Sequence, residues 1–478
     1  VRNANGSGHE QRRQTDGPGK DEVNRMNDFR KTAQEMLEFI RISPTCFHAV
    51  ANIGRMLEAA GFQQLQEKEE WKLEKGGRYY TERNDSSVIA FVIPEKEVGI
   101  RGFHMAAAHS DSPCFKIKEK PELTVEEHYL RLNTEKYGGM ILSTWLDRPL
   151  SVAGRLAVKN GNGIEGRLVN IDRDLCVIPN VAIHMNREMN KGVEYNPQVD
   201  LLPLLADVSF DEYDAHTTYD AQTASENAEE QPEAVEKPTL AALAAETAGV
   251  DAETILGEDL FLYTRQEGKM IGAKGEFVLS PRLDDLQSAF ALTKAFTEST
   301  PAEYINLCAV FDNEEVGSGT RQGADSTFLE DTLQRITEGL QEGHSTYLRW
   351  VADSFLISAD NAHAVHPNHP EKADPANRPY LNGGIVIKYH GSQKYTTDGI
   401  SAARMKDYCE RAKVPYQTYA NRSDIAGGST LGNISTAHVS VSSVDIGLPQ
   451  LAMHSAVETA GMKDTEYAVR ALKEFWGE

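Results

Sequence analysis

The stretch INLCAVFDNEEVGSGT, residues 305–320, decides the fold class. It opens with an unbroken apolar run, Ile305 to Phe311, which predicts a strand buried on both faces within a parallel sheet. The run stops at Asp312-Asn313, and Gly317-Ser318-Gly319 supplies a loop. Open α/β sheets bind ligands just beyond the carboxyl ends of their strands. Glu314 and Glu315 stand at that place. Successive side chains leave the backbone in different directions, so neighbouring carboxylates can divide the work. One can ligate a metal while the other faces a bound water as general base. Taken alone, a Glu-Glu pair reads equally as a solvated acidic turn.

Further candidates stand at other strand ends and helix starts. The run Val98 to Ala108 leads into His109-Ser110-Asp111. His109 can ligate a metal while Asp111 holds the other ring nitrogen and fixes the tautomer. Phe355 to Ala359 predicts a short strand ending at Asp360. Pro449 to Met453 leads to His454, which is expected to open a C-terminal helix running from Ser455 to Trp476. Ser280-Pro281-Arg282-Leu283-Asp284-Asp285 reads as a helix start, with Ser280 as N-cap, Pro281 in the first turn and acids following. Two histidines and several carboxylates so placed form a set with metal-ligand chemistry.

The segments AAAHSDSPCFKIK, PRLDDL, VFDNEEVGSGT, SADNAHAVHPNH and PQLAMHSAVE resemble, in order, the signature blocks of the aspartyl aminopeptidase family. The resemblance covers roughly residues 27 to 478. It implies an α/β fold: a three-layer zinc-exopeptidase-like catalytic domain with an inserted β-rich dimerisation domain, assembled as a tetrahedral homododecamer. It implies two zinc ions per subunit, with cobalt or manganese as substitutes. His109, Asp284, Glu315, Asp360 and His454 become the metal ligands, with Asp284 bridging, and Glu314 becomes the general base. The family more often has Asn at the position of Asp285. By the same resemblance His184, in VIPNVAIHMNRE, reaches a neighbouring subunit's site, and Lys388 and Tyr395 line the substrate pocket.

The implied site has sensible charge. Two zinc ions are opposed by Asp284, Glu315 and Asp360, leaving an excess that favours a bound hydroxide. Zinc can lower the pKa of its water to roughly 7. The expected reaction is therefore release of N-terminal residues, Asp or Glu by family preference, from peptides with free N-termini. A related neutral aminopeptidase, an N-deacylase, or a self-assembling shell that has lost catalysis are the alternatives. The presence of every site residue speaks against the last.

A formal charge of −23 argues against nucleic acid or an anionic membrane surface as partner. It also makes a local cation necessary if the substrate is acidic. Lys388 follows three apolar residues in Gly384 to Tyr389, and either faces that substrate or snorkels to water. The odd, scattered cysteines Cys46, Cys114, Cys176, Cys308 and Cys409 point to reduced thiols and a cytoplasmic location. No apolar run is long enough to span a bilayer.

Residues 1–25 read as a disordered leader without a secretory signal's apolar core. Because His109 and Asp284 must meet, residues 26–115 and 275–478 are assigned to the catalytic domain and 116–274 to the insertion. Leu156 to Val158 and Gly166 to Ile171, around Asn160-Gly161-Asn162-Gly163, predict a hairpin. An acidic insertion is placed near 212–256, with Asp214 to Glu236 disordered and Leu240 to Ala248 a short helix. His363, His366 and His369 suggest a separate metal site, but Pro367 and Pro370 break the helix that would align them, so the loop is expected to shape the pocket. Gly427 to Gly432 lacks the lysine of a phosphate loop and is expected to meet peptide backbone instead.

Overall fold

In the computed structural model, residues 20–95, 99–208, 239–428 and 430–478 are described. The expected disordered segment Asp214 to Glu236 lies outside these, as do residues 1–19 of the leader. Residues 20–25 are helical rather than disordered; they open the first helix, Lys20–Arg41.

The Ile305–Phe311 strand lies near the middle of a nine-stranded mixed sheet. It pairs in parallel with Phe103–His109, so that Phe311 and His109 are register partners. Phe355–Ala359 runs parallel on the other side of Phe103–His109, and Ser442–Gly447 parallel beyond that. Three of these strands therefore end together and deliver His109, the Asp312–Glu315 turn and Asp360 to one edge. Ile385–Tyr389 joins next to Ser442–Gly447, antiparallel to it.

Alternation along Phe103–His109 divides the molecule into layers. Ala106 and Ala108 face one core with the helices Lys20–Arg41, Leu283–Thr297 and Asp464–Trp476. Phe103, Met105 and Ala107 face the other, with Phe328, Leu333, Tyr347 and Trp350. The small alanines let the buried helix Leu283–Thr297 lie close to the sheet. This is the expected three-layer arrangement, with parallel strands covered on both sides.

Between His109 and Asp284 the chain builds an all-antiparallel six-stranded sheet from strands within residues 114–264. Its Leu150–Asn160 and Gly163–Asn170 strands form the expected hairpin. The helix Leu240–Ala248 forms as expected, capped by the Thr239 side chain and by Gly249 at φ 65°.

A third, five-stranded sheet departs from the sequence reading. It joins Lys269–Ile271, Phe277–Ser280, Glu458–Gly461, Pro449–Leu451 and Ala362–His363. Ser280 ends a strand and caps nothing; the N-cap of the next helix is Arg282, at φ 55°. Asp284 and Asp285 are non-helical, with a cis peptide between them. His454 does not open the last helix either. It sits in the loop between Pro449–Leu451 and Glu458–Gly461, and the helix begins at Asp464. In both places strand pairing overrides a locally plausible helix signal.

Candidate metal centre

At the edge where the parallel strands end, ligand-type atoms gather in overlapping groups. Besides a group of His109, Glu314 and Glu315, two further sets share a residue: His109, Asp284, Asp285 and Asp360 form one, and Asp284, Glu315 and His454 the other; within each group, one ligand-type atom per residue lies within 4.8 Å of the rest. Asp284 belongs to both. Its Oδ1 is 3.4 Å from His109 Nε2 and its Oδ2 is 3.6 Å from His454 Nε2. His454 Nε2 is also 3.4 Å from Glu315 Oε2, and His109 Nε2 is 4.0 Å from Asp360 Oδ1. None of these four pairs of histidine and carboxylate is close enough for a good hydrogen bond, and the space between them suits a cation.

The second ring nitrogens are held from behind. His454 Nδ1 is 2.9 Å from the Gly139 carbonyl oxygen, and His109 Nδ1 is 3.1 Å from that of Asp111. Donation from these nitrogens leaves both Nε2 atoms as acceptors facing the site. The Asp111 carboxylate, expected to hold His109, is 3.4 Å from its Nδ1 and has further work. It accepts from the backbone amides of Glu314, at 3.1 Å, and Glu315, at 3.2 Å, and from the Tyr137 hydroxyl, at 2.7 Å. Tyr137 itself accepts from Asn313 Nδ2 at 2.8 Å. Asp111 thus sets the turn that carries both glutamates.

The residues present fit metal ions. Asp284 Oδ1, Asp285 Oδ1 and Glu315 Oε1 are buried without a hydrogen-bond partner, a costly arrangement unless a cation meets them. Burial pushes the Glu314 carboxyl up to about 8, helped by Asp360, Asp111 and Asp284. Burial and the Asp284 charge push Glu315 well above the usual range. Bound cations would reverse that logic, and imidazole with carboxylate is a donor set suited to zinc.

Lys388 does not snorkel. It is 2 % exposed, its Nζ lies 3.4 Å from Asp360 Oδ2, and it stands 5.4 Å from the centre of the Tyr395 ring. Burial alone would lower its pKa, but Asp360, Tyr395, Asp445 and Asp284 together outweigh burial and keep the ammonium charged. A cavity of about 300 Å³ joins Asp284, Glu314, Asp360, Lys388, Tyr395 and His454. Gly428 and Thr430 border it, so the glycine loop does lie beside the metal groups. His363 lines both this cavity and a neighbouring one of about 410 Å³, whose wall also carries His366 and His369. Those three histidines form no metal group among the described residues.

Comparison with known proteins agrees with this geometry. A family model described as "Aminopeptidase I zinc metalloprotease (M18)" matches residues 39–476. The chain belongs to the M18 family. It is a metallo-aminopeptidase by that membership. It is 47 % identical over 448 residues to a "Probable M18 family aminopeptidase 2" of Clostridium novyi, covering 93 % of this chain and 98 % of the relative. The cryo-EM structure of an Ape4 and Nbr1 complex superposes with a TM-score of 0.86 at 36 % identity, covering 94 % of this chain and 86 % of that one. A Saccharomyces mApe1 dodecamer superposes with a TM-score of 0.77 at 26 % identity, covering 94 % of this chain and 97 % of its own. The fold is therefore the zinc-exopeptidase-like α/β fold with a second domain.

His184 stands apart from the metal groups of this M18 chain, in an exposed turn. Val181, Ile183 and Met185 around it are also exposed, Met185 at 82 %. Three residues that shape the site went unassigned in the sequence. Tyr137 gave no local signal. Asp445 is buried and accepts from Thr396, next to the cavity residue Tyr395, and from Thr430 on the cavity wall. Glu458 lies within the PQLAMHSAVE block, four residues after His454.

Proposed function

We propose that this aminopeptidase holds two zinc ions per subunit and removes Asp or Glu from the free N-termini of peptides. The observation that carries this reading is the shared carboxylate, Asp284, between two histidine-bearing groups, with Glu314 on the same cavity as a buried lysine. His109, Asp284 and Asp360 would hold one ion, and Asp284, Glu315 and His454 the other. Bound zinc lowers the pKa of water toward roughly 7 and polarises a carbonyl. Glu314 takes the proton of the attacking water and returns it to the leaving amine. Asp111 keeps the Glu314 backbone in place for that exchange.

Lys388 supplies the positive charge that an acidic side chain needs inside a protein of charge −23. A neutral preference is the second reading. Its support is the 3.4 Å contact with Asp360, which already answers part of the lysine's charge. Hydrolysis of a panel of N-terminal residues by zinc-loaded protein separates the two. We expect Asp and Glu to lead in the wild type. Lys388→Met should lower kcat/KM for them about 10²-fold, because a site built for a polar group discriminates strongly, and should change Leu and Ala peptides little. Equal losses across the panel would leave Lys388 as a support of Asp360 alone.

The second domain serves dimer contacts in this reading, and the subunits close into a homododecamer like the mApe1 particle. The exposed apolar residues beside His184 then meet a neighbour, and His184 enters that neighbour's site. His184→Ala should cost roughly 10²-fold in kcat, typical of one lost transition-state donor, with the assembly intact. Full activity of the intact particle would remove His184 from the site. Reduced cysteines accord with a cytoplasmic enzyme; all five are free, and no helix among the described residues is long and apolar enough to cross a membrane.

A further inference from the structure

Two loops carry metal-binding side chains out of the five-stranded sheet. One runs from Phe277–Ser280 to the helix Leu283–Thr297 and bears Asp284; the other joins Pro449–Leu451 to Glu458–Gly461 and bears His454. The two loops meet at one side chain. Glu458, which is register partner to Ser280, accepts from the Asp284 backbone amide through Oε2 at 3.0 Å. Its other oxygen, Oε1, accepts from the His454 amide at 2.8 Å. We infer that Glu458 is the positioning residue that fixes Asp284 and His454 relative to each other, and so sets the spacing of the metal groups.

Several observations favour this over a passive buried acid. Glu458 is 2 % exposed, and a carboxylate is an expensive group to bury. Both its oxygens are taken by amides, and it joins none of the metal groups, so it offers no ligand atom of its own. The backbones it holds are unusual ones. His454 is at φ 66°, a conformation that persists for such a residue only when the surroundings impose it, and Asp284 lies in a non-helical turn at the start of its helix. With one amide on each oxygen, this geometry calls for a side chain that accepts at both of its terminal atoms. A glutamine would present its NH₂ to one of the two donors.

This inference rests on the metal-centre reading, and the test separates them. Chelator-stripped full-length wild type and Glu458→Gln are titrated with zinc and followed by calorimetry. We expect the wild type to take up zinc and the variant to bind about 10–100-fold more weakly, the usual loss when a group supporting a ligand is removed. At saturating zinc, kcat should fall while KM holds. Wild-type protein that takes up no zinc would overturn the metal-centre reading and the clamp with it. Wild-type uptake with an unchanged variant would overturn the clamp alone. Should the variant not fold, backbone hydrogen exchange on the wild-type assembly decides: the Asp284 and His454 amides should be strongly protected, and exchange at the rate of open chain would refute the clamp.

Discussion

Glu314→Gln should keep its zinc and lose turnover by roughly 10²–10⁴-fold, the range that a positioned proton-transfer group contributes. The side chain is nearly isosteric, so the cavity should keep its shape. The Asp111 contact is to the Glu314 backbone amide, and substitution leaves it in place. What disappears is the ability to accept and return a proton. Glu314 lies outside the two groups that share Asp284 but joins His109 and Glu315 in a third, so zinc uptake equal to the wild type is the result that marks it as base rather than ligand. Metal analysis and steady-state kinetics on the same sample check both halves. Near-normal turnover would remove Glu314 as the base. Loss of zinc together with turnover would make it a ligand instead.

Asp284→Asn should fail differently. The carboxylate offers Oδ1 toward His109 and Oδ2 toward His454. An amide has one oxygen, and its NH₂ cannot accept or ligate. The variant should therefore hold at most one of the two ions, and its rate should fall at least about 10²-fold. The contrast between the variants is the informative part: one loses turnover with metal retained, the other loses turnover because metal is lost. Two ions bound to Asp284→Asn would break the assignment of Asp284 as the shared ligand.

How much of this was legible in the sequence depended on where the determining contacts lie. The strand at Ile305–Phe311 and the turn bearing Glu314 and Glu315 were readable, because an unbroken apolar run ending in polar residues is a local pattern. The Gly161–Asn162 hairpin turn was readable for the same reason. The loops bearing Asp284 and His454 were not. Ser280-Pro281 imitates a helix cap, and Val457 to Ala460 fit a helical face, yet the strands Phe277–Ser280 and Glu458–Gly461 pair over a separation that no local pattern reveals. Lys388 was ambiguous until Asp360 appeared beside it, 28 residues away in the chain. Glu458 and Tyr137 act on backbone amides and on another carboxylate, and such partners leave no spacing signature.

The interlock between the two domains belongs to the same class. Tyr137 ends the second domain's strand Tyr129–Tyr137 and Gly139 follows it, yet they hold Asp111 and the His454 ring. Gly138, at φ 80°, lies where an added Cβ would stand 3.1 Å from that of Glu315. The second domain thus closes one wall of the metal centre as well as presenting the exposed apolar segment around His184.

The most direct test of the central claim is zinc titration of chelator-stripped wild type, with bound metal and hydrolysis of an Asp-initiated peptide measured at each point. The shared position of Asp284 predicts uptake of two ions per subunit, with full activity reached only as the second equivalent binds. Saturation at one ion with full activity, or hydrolysis that survives complete removal of metal, would contradict it.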